Sequence, residues 1–207
     1  MPAIKQPAPT TAKGQATRER IVSAAADLLL RDGVHGTTNP AVRSAAGVSG
    51  SQLSHYFPEK GSLIHAVLAW RSEQVIDLSQ ITPNGRLDSV AALRSWADFY
   101  LRREDLWVGG CRFGSLASEV LKSDLDLKAD VAIGFERWRN VFRDGLVAMR
   151  ERHELRDDAD VDRLAVALLA AFQGGMLLAQ AEQSMAPLAA ALGAAIDYVA
   201  GFVVDRA

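Results

Sequence analysis

Cysteine is almost absent: the 207 residues hold one, Cys111, so no intrachain disulfide can form. Long apolar runs are missing too. No stretch approaches the roughly 20 apolar residues that span a bilayer, and no basic-then-apolar leader opens the chain. No segment alternates β-branched and polar residues, so no strand is predicted. The four histidines, His35, His55, His65 and His153, show no metal-ligand spacing, and neither metal nor cofactor is expected. There is no glycine-rich phosphate loop behind a strand, no Gly-x-Ser-x-Gly elbow and no second thiol. These absences point away from an enzyme and toward a cytoplasmic, all-α protein with no membrane partner.

What is present is apolar bulk and a lopsided charge. Hydrophobic residues make up 49% of the chain, enough for a substantial core, and charged residues 23%. The net charge of −2 hides an asymmetry. Residues 1–65 carry seven Lys and Arg against four Asp and Glu, and the remainder is acidic. A basic head on an acidic body suits a protein whose N-terminal part approaches phosphates.

The stretch from Thr37 to Lys60 organises the rest. Asn39 or Thr38 can cap a short helix, with Pro40 in its first turn, where a missing N–H costs nothing. Gly47 stops that helix at Ala46, because glycine enters the left-handed region cheaply. Val48 plugs the turn, Ser49 caps a second helix to about Tyr56, and Pro58 follows its end. Two short helices joined at Ala-Gly-Val-Ser have the form of a DNA-reading helix-turn-helix. On the second helix Ser49, Ser51, Gln52, Ser54, His55 and Tyr56 make a hydrogen-bonding surface, while Leu53 and Phe57 face inward. Gln52 can pair with adenine through N6 and N7, and Ser51 and Ser54 can reach base edges or phosphates. His55, Tyr56 and Lys60 suit phosphate oxygens, and Thr38 adds a hydroxyl at a helix N-terminus.

Ala46-Gly47-Val48-Ser49, Leu53, Tyr56-Phe57-Pro58, Lys60 and Leu63 resemble the N-terminal signature of the tetracycline-repressor-like (TetR) family. Arg20-Ile21, Ala24-Ala25, Leu28-Leu29, Gly33 and Thr37-Thr38 fit that family's first helix and following loop. Asn39, Arg43 and Ser54-His55 depart from the usual pattern, which bears on contacts at 43, 54 and 55. The resemblance implies phosphate contacts at Thr38, Tyr56 and Lys60, and a homodimer on double-stranded operator DNA released by a small-molecule inducer. It also implies the architecture: a three-helix helix-turn-helix domain at 15–62, then a larger helical ligand-binding and dimerisation domain at 63–207. A TetR-fold activator is the alternative.

Around that head, residues 1–14 read as a disordered tail, rich in Pro2, Pro7 and Pro9. A first helix is predicted over 16–32, capped by Thr17 and stopped by Gly33, and another from Lys60 or Gly61 to about Ser79. Pro83-Asn84-Gly85 is a turn. Helices follow at Leu87–Leu106, from a Ser115 cap to about Lys122, from Asp124 or Asp126 to about His153, at Leu164–Ala181 and at Ala186–Val204.

The aromatics of these later helices, Trp96, Phe99, Tyr100, Phe113, Trp138, Phe142 and Phe172, with Met176, are candidates for an apolar, drug-like inducer pocket. Arg112, Gln173 and Gln180 are its polar candidates. Gly110-Cys111-Arg112-Phe113-Gly114-Ser115-Leu116-Ala117 resembles a segment of the family branch that controls multidrug-resistance genes. Cys111 has two readings: a buried structural thiol, which its small apolar side chain favours, and a redox-responsive alternative in which neighbouring Arg112 lowers the thiol pKa and Cys111 is the sensor. The last two helices are apolar on more than one face, which predicts a two-chain four-helix interface through Ala165, Leu168, Phe172, Leu188, Leu192 and Ile196.

Overall fold

The structure, a computed structural model, describes residues 11–76, 82, 85–103 and 108–204. Among these the chain is nine α-helices, with one isolated antiparallel bridge between Leu155 and Val203. The all-α expectation holds. Two compact units are present: residues up to Arg71 with Leu116–Asp130, and Ser72–Ser115 with Val131–Ala207. Segment 116–130 thus groups with the head rather than with the rest of the body.

In the first unit, α1 spans Ala12–Gly36. It starts four residues earlier than its apolar stripe suggests, because the Thr11 hydroxyl accepts the Gly14 N–H at 3.1 Å. Thr17 is therefore not the cap; its hydroxyl donates to the Lys13 carbonyl inside the helix. Residues 11–14, placed with the tail by sequence, begin this helix, and residues 1–10 lie outside the described residues. Ile21, Val22, Ala25, Ala26 and Leu29 form its buried stripe. Gly33, at φ 74°, breaks the helix where a stop is expected, and one further turn follows.

α2 spans Asn39–Ala46 and is capped by Thr38, so Asn39 is the first helical residue instead of the cap. Gly47 sits at φ 61°, and the N–H groups of Gly47 and Val48 return to Ser44 and Arg43 carbonyls, closing the turn. Val48 is half-buried rather than a sealed plug. α3 spans Gly50–Tyr56, with Leu53 and Phe57 buried beneath it. Arg20 Nε donates to the Ala46 carbonyl at 3.2 Å, tying α1 to the end of α2, and the Arg18 guanidinium lies over the Phe57 ring. α4 spans Lys60–Ile76 and buries Leu63, Ile64, Val67 and Leu68 as predicted. The continuation expected to Ser79, and Pro83-Asn84 of the turn, lie outside the described residues; Gly85 donates to the Thr82 carbonyl.

The remaining helices are α5 Val90–Leu101, α6 Arg112–Lys122, α7 Lys128–Glu151, α8 Val161–Glu182 and α9 Ala186–Ala200. Helices α4, α6 and α7 have residues in both units. Ser89, not Leu87, opens α5 by accepting the Ala92 N–H. Ser115 does not cap α6, which starts three residues earlier. There the Cys111 carbonyl accepts the Ser115 N–H and its Sγ the Gly114 N–H. α7 starts at Lys128, after both aspartates proposed for its cap. Gly145 on α7 meets the backbone carbonyl of Leu87 so closely that a Cβ there would overlap it.

α8 corrects the statement about apolar runs: it is long and apolar enough to cross a membrane by length and composition. Its inner face of Leu164, Ala165, Leu168, Phe172, Met176 and Ala179 is buried in the core, while Val166, Leu177 and Leu178 on the other side are exposed. α9 packs along α8 and also contacts α5.

Candidate nucleic-acid interface

A recognition helix must expose its polar side chains and still hold itself together over seven residues, too few for intrinsic helix stability. Ser49 and Gln52 supply the cohesion. The Ser49 hydroxyl accepts the Gln52 N–H at 3.1 Å, and Gln52 Oε1 accepts the Ser49 N–H at 2.9 Å. This reciprocal capping box satisfies two of the orphan donors at the helix start. The S-x-x-Q spacing signals it in the sequence, yet sequence reasoning assigned Gln52 to base reading alone. One lone pair of Oε1 is engaged in the box, so bidentate adenine recognition by Gln52 would share that oxygen or open the box.

The other residues named for DNA contacts are accessible. Thr38, Arg43, Ser51, Ser54 and His55 are exposed, and Tyr56 and Lys60 are half-exposed. Ser49 and Ser51 hydroxyls are 2.9 Å apart, and the His55 and Tyr56 rings meet edge to face at 5.1 Å. Arg43 reaches from α2 across the start of α3, with Nη1 3.5 Å from where a Gly50 Cβ would stand. The unusual Arg43 therefore joins the polar face of α3. No carboxylate is on this face: α3 holds only glycine, serine, glutamine, leucine, histidine and tyrosine.

In the second unit most of the residues named for a pocket are buried. Trp96, Phe113, Trp138, Phe142, Phe172 and Met176 are buried to within 2% exposure. The rings pack on one another. Trp96 meets Phe142 at 4.9 Å, Tyr100 meets Phe172 at 4.8 Å, and Trp138 meets Phe172 at 5.1 Å, all edge to face. Phe99 lies at the margin of this cluster beside Tyr100. Trp96, Phe113, Trp138, Phe142 and Phe172 are core residues, and Phe99 and Tyr100 are half-buried.

Among the described residues an open groove of about 320 Å³ lies between α7 and α8. α7 gives it Ala132, Phe135, Glu136 and Arg139, and α8 gives Val166, Leu169, Ala170 and Gln173. Of the predicted polar candidates only Gln173 lines it. Phe135, Glu136 and Arg139 carry no sequence signal, since their spacing is that of any helix surface.

At Cys111 it is the lowered thiol pKa of the sensor alternative that is corrected. Burial pushes its thiol pKa up, against smaller lowering contributions from the Gly114 N–H and the Gln173 amide, and Arg112 is not among the causes. A raised pKa disfavours a sensor chemistry that needs thiolate. Tyr100 is pushed up to about 12, chiefly by burial and then by Cys111.

The six residues assigned to the subunit interface, Ala165, Leu168, Phe172, Leu188, Leu192 and Ile196, are all buried within the single chain. They cannot also meet a partner. The sequence shows that α8 and α9 are apolar all round without saying which side faces in. Among the described residues, no group of three His, Cys, Asp or Glu side chains could hold a metal.

A short polar recognition helix behind a left-handed glycine turn, followed by a helical body, defines a helix-turn-helix regulator. The chain belongs to the TetR family. Residues 21–67 match the model for bacterial regulatory proteins of the tetR family, and residues 86–195 match the tetracyclin repressor-like C-terminal domain. It is a transcriptional regulator and not an enzyme. The HTH-type transcriptional repressor DhaR of Mycobacterium sp. (strain GP1) is 24% identical over 173 residues, covering 83% of this chain and 86% of DhaR. A TetR transcriptional regulator from Chloroflexus aurantiacus is 28% identical with a TM-score of 0.76, over 93% of this chain and 98% of the other. The reduced form of Escherichia coli NemR shares the fold, at 22% identity and TM-score 0.73, over 92% of this chain and 99% of that one.

Proposed function

We propose that the chain is a homodimeric repressor that binds palindromic operator DNA through α3 and is released by a small-molecule inducer. The observation that carries the reading is the exposed, carboxylate-free polar face formed by Arg43, Ser51, Gln52, Ser54 and His55. Such a face offers donors and acceptors to base edges, while Thr38, Tyr56 and Lys60 flank it for phosphates. The relative named as a repressor supports that sign of regulation. The site of action is the cytoplasm, where the DNA is. The Gly110–Ala117 segment keeps its resemblance to the multidrug-resistance branch.

Dimerisation is assigned to the outer rather than the inner face of the last two helices. Val166, Leu177 and Leu178 are 48%, 66% and 53% exposed on α8, and Tyr198 is 41% exposed on α9. Between them lie exposed Ala170, Gly174, Ala190 and Ala194, with no charge on this part of α8. Small residues beside exposed leucines allow two helix pairs to approach closely, and apolar patches of this kind mark interaction sites.

Selection of bound duplexes from a randomised pool tests the reading. The expected winners share an inverted repeat whose half-sites are centred about one helical turn, ~34–36 Å, or a multiple apart. A pool that returns no enriched sequence would remove operator recognition.

A further inference from the structure

We infer that Arg43 reads a guanine in each operator half-site, with Gly50 as the seat that positions its guanidinium. This rests on the reading of α3 as the DNA-docking helix and names the base that the α2 side of that surface selects. Guanine shows two acceptors in the major groove, N7 and O6, so its reader must offer two donors and no acceptor. Arg43 is the only lysine or arginine of α2 and α3. The other polar side chains of these helices are asparagine, serine, glutamine, histidine and tyrosine, each of which carries an acceptor as well. Neither helix contains a carboxylate that could occupy the guanidinium.

The residue is fixed at both ends. At its root the Arg43 carbonyl accepts the Val48 N–H at 3.1 Å, so the turn between the helices holds it. At its head Nη1, Cζ and Nε lie 3.5, 3.7 and 3.8 Å from where a Gly50 Cβ would stand. Three near-equal distances rest the flat face of the guanidinium on Gly50 and leave its N–H edges open. An exposed arginine ordinarily samples many rotamers, and one seated in this way loses less freedom when DNA arrives. Ser54 follows Gly50 by one helical turn and is exposed, so it carries the polar stripe on from the guanidinium. The distances at Gly50 are those of ordinary contact, so alanine fits there, whereas the branched carbons of valine intrude on the guanidinium. A phosphate is the competing partner for the same fork of donors.

The test compares duplexes selected by wild type and by Arg43→Ala. 7-Deazaguanine, which lacks the N7 acceptor, is then placed at each guanine of the wild-type operator in turn. Wild type is expected to fix a G·C pair in each half-site that Arg43→Ala leaves free, with the rest of the site kept. 7-Deazaguanine at that pair should weaken wild type about tenfold and leave Arg43→Ala unchanged. Gly50→Ala should select as wild type does, and Gly50→Val should lose its preference at that pair alone, which a general loss of structure does not produce. Thermal melts establish that each variant is folded; if Arg43→Ala is not, the 7-deazaguanine series on wild type carries the test. Wild-type affinity unmoved by 7-deazaguanine at every position, or a folded Gly50→Val with the wild-type preference, would overturn the assignment. So would an Arg43→Ala protein that weakens on all duplexes alike with a shallower salt slope, which makes Arg43 a phosphate contact. A wild-type pool enriched in a site without a fixed guanine removes this inference and leaves operator recognition standing, whereas a pool with no enrichment removes both.

Discussion

Glu119 Oε2 accepts the Val34 N–H at 2.6 Å, across 85 residues of chain. Gly33 breaks α1 at φ 74° and strands that N–H on a residue only 2% exposed. The carboxylate of α6 is its partner, and it stands 2.7 Å from where a Gly33 Cβ would be. Glu119→Ala is expected to cost about 1–3 kcal/mol, the penalty of an unsatisfied buried N–H. Gly33→Ala should cost at least ~1 kcal/mol through the left-handed backbone and the displaced carboxylate. Urea midpoints measure both; a Glu119→Ala variant as stable as wild type would show that water replaces the carboxylate.

Gln52 has two tasks that separate by experiment. Gln52→Ala removes half the capping box and should lower stability by about 0.5–1 kcal/mol. If Gln52 also reads a base, the same change relaxes discrimination at one base pair by about 1–3 kcal/mol. Gln52→Glu can keep the carboxyl acceptor for the Ser49 N–H but not the amide donor for adenine N7. It should therefore keep stability and lose discrimination. Discrimination unchanged in Gln52→Glu confines Gln52 to the box.

Much of the head was legible in the sequence because its signals are local. Gly47, Ser49, Pro40 and Pro58 each fix one backbone event, so α2 and α3 fall where predicted. Long-range contacts were not legible. Thr11 rather than Thr17 caps α1, Cys111 rather than Ser115 precedes α6, and Glu119 finds Val34. For the body, helical spacing reveals that Trp96, Trp138 and Phe172 are apolar and leaves open whether they enclose space or fill it. Leu168 and Leu177 are indistinguishable in sequence, yet one is fully buried and the other is 66% exposed.

That difference gives a paired test of the subunit face. Leu168→Asp buries an unpaired charge and should cost several kcal/mol, enough to unfold a protein of ordinary stability. Leu177→Asp should leave the fold intact and convert a dimer to a monomer in sedimentation velocity. A Leu177→Asp protein that still sediments as a dimer would move the interface elsewhere.

Alkaline pH should weaken the fold through Tyr100. Its pKa, raised from 10.0 to about 12, is higher folded than unfolded. The native state therefore holds the proton longer, and the contribution is fully present below about pH 10. It is lost as pH rises toward 12, by roughly 2–3 kcal/mol in all. Burial raises Cys111 in the same direction. Urea midpoints between pH 9 and 12 should fall less steeply for Tyr100→Phe than for wild type; parallel curves would remove Tyr100 as the cause.

The most direct test of the central claim, that α3 and its flanking residues dock on duplex DNA, is the salt dependence of binding to the selected operator. Wild type should bind with two chains per duplex and a steep negative slope of log affinity against log salt. Lys60→Ala should lower that slope by about one phosphate for each half-site. Binding that is insensitive to salt, or equally tight to operator and random duplex, would contradict the account.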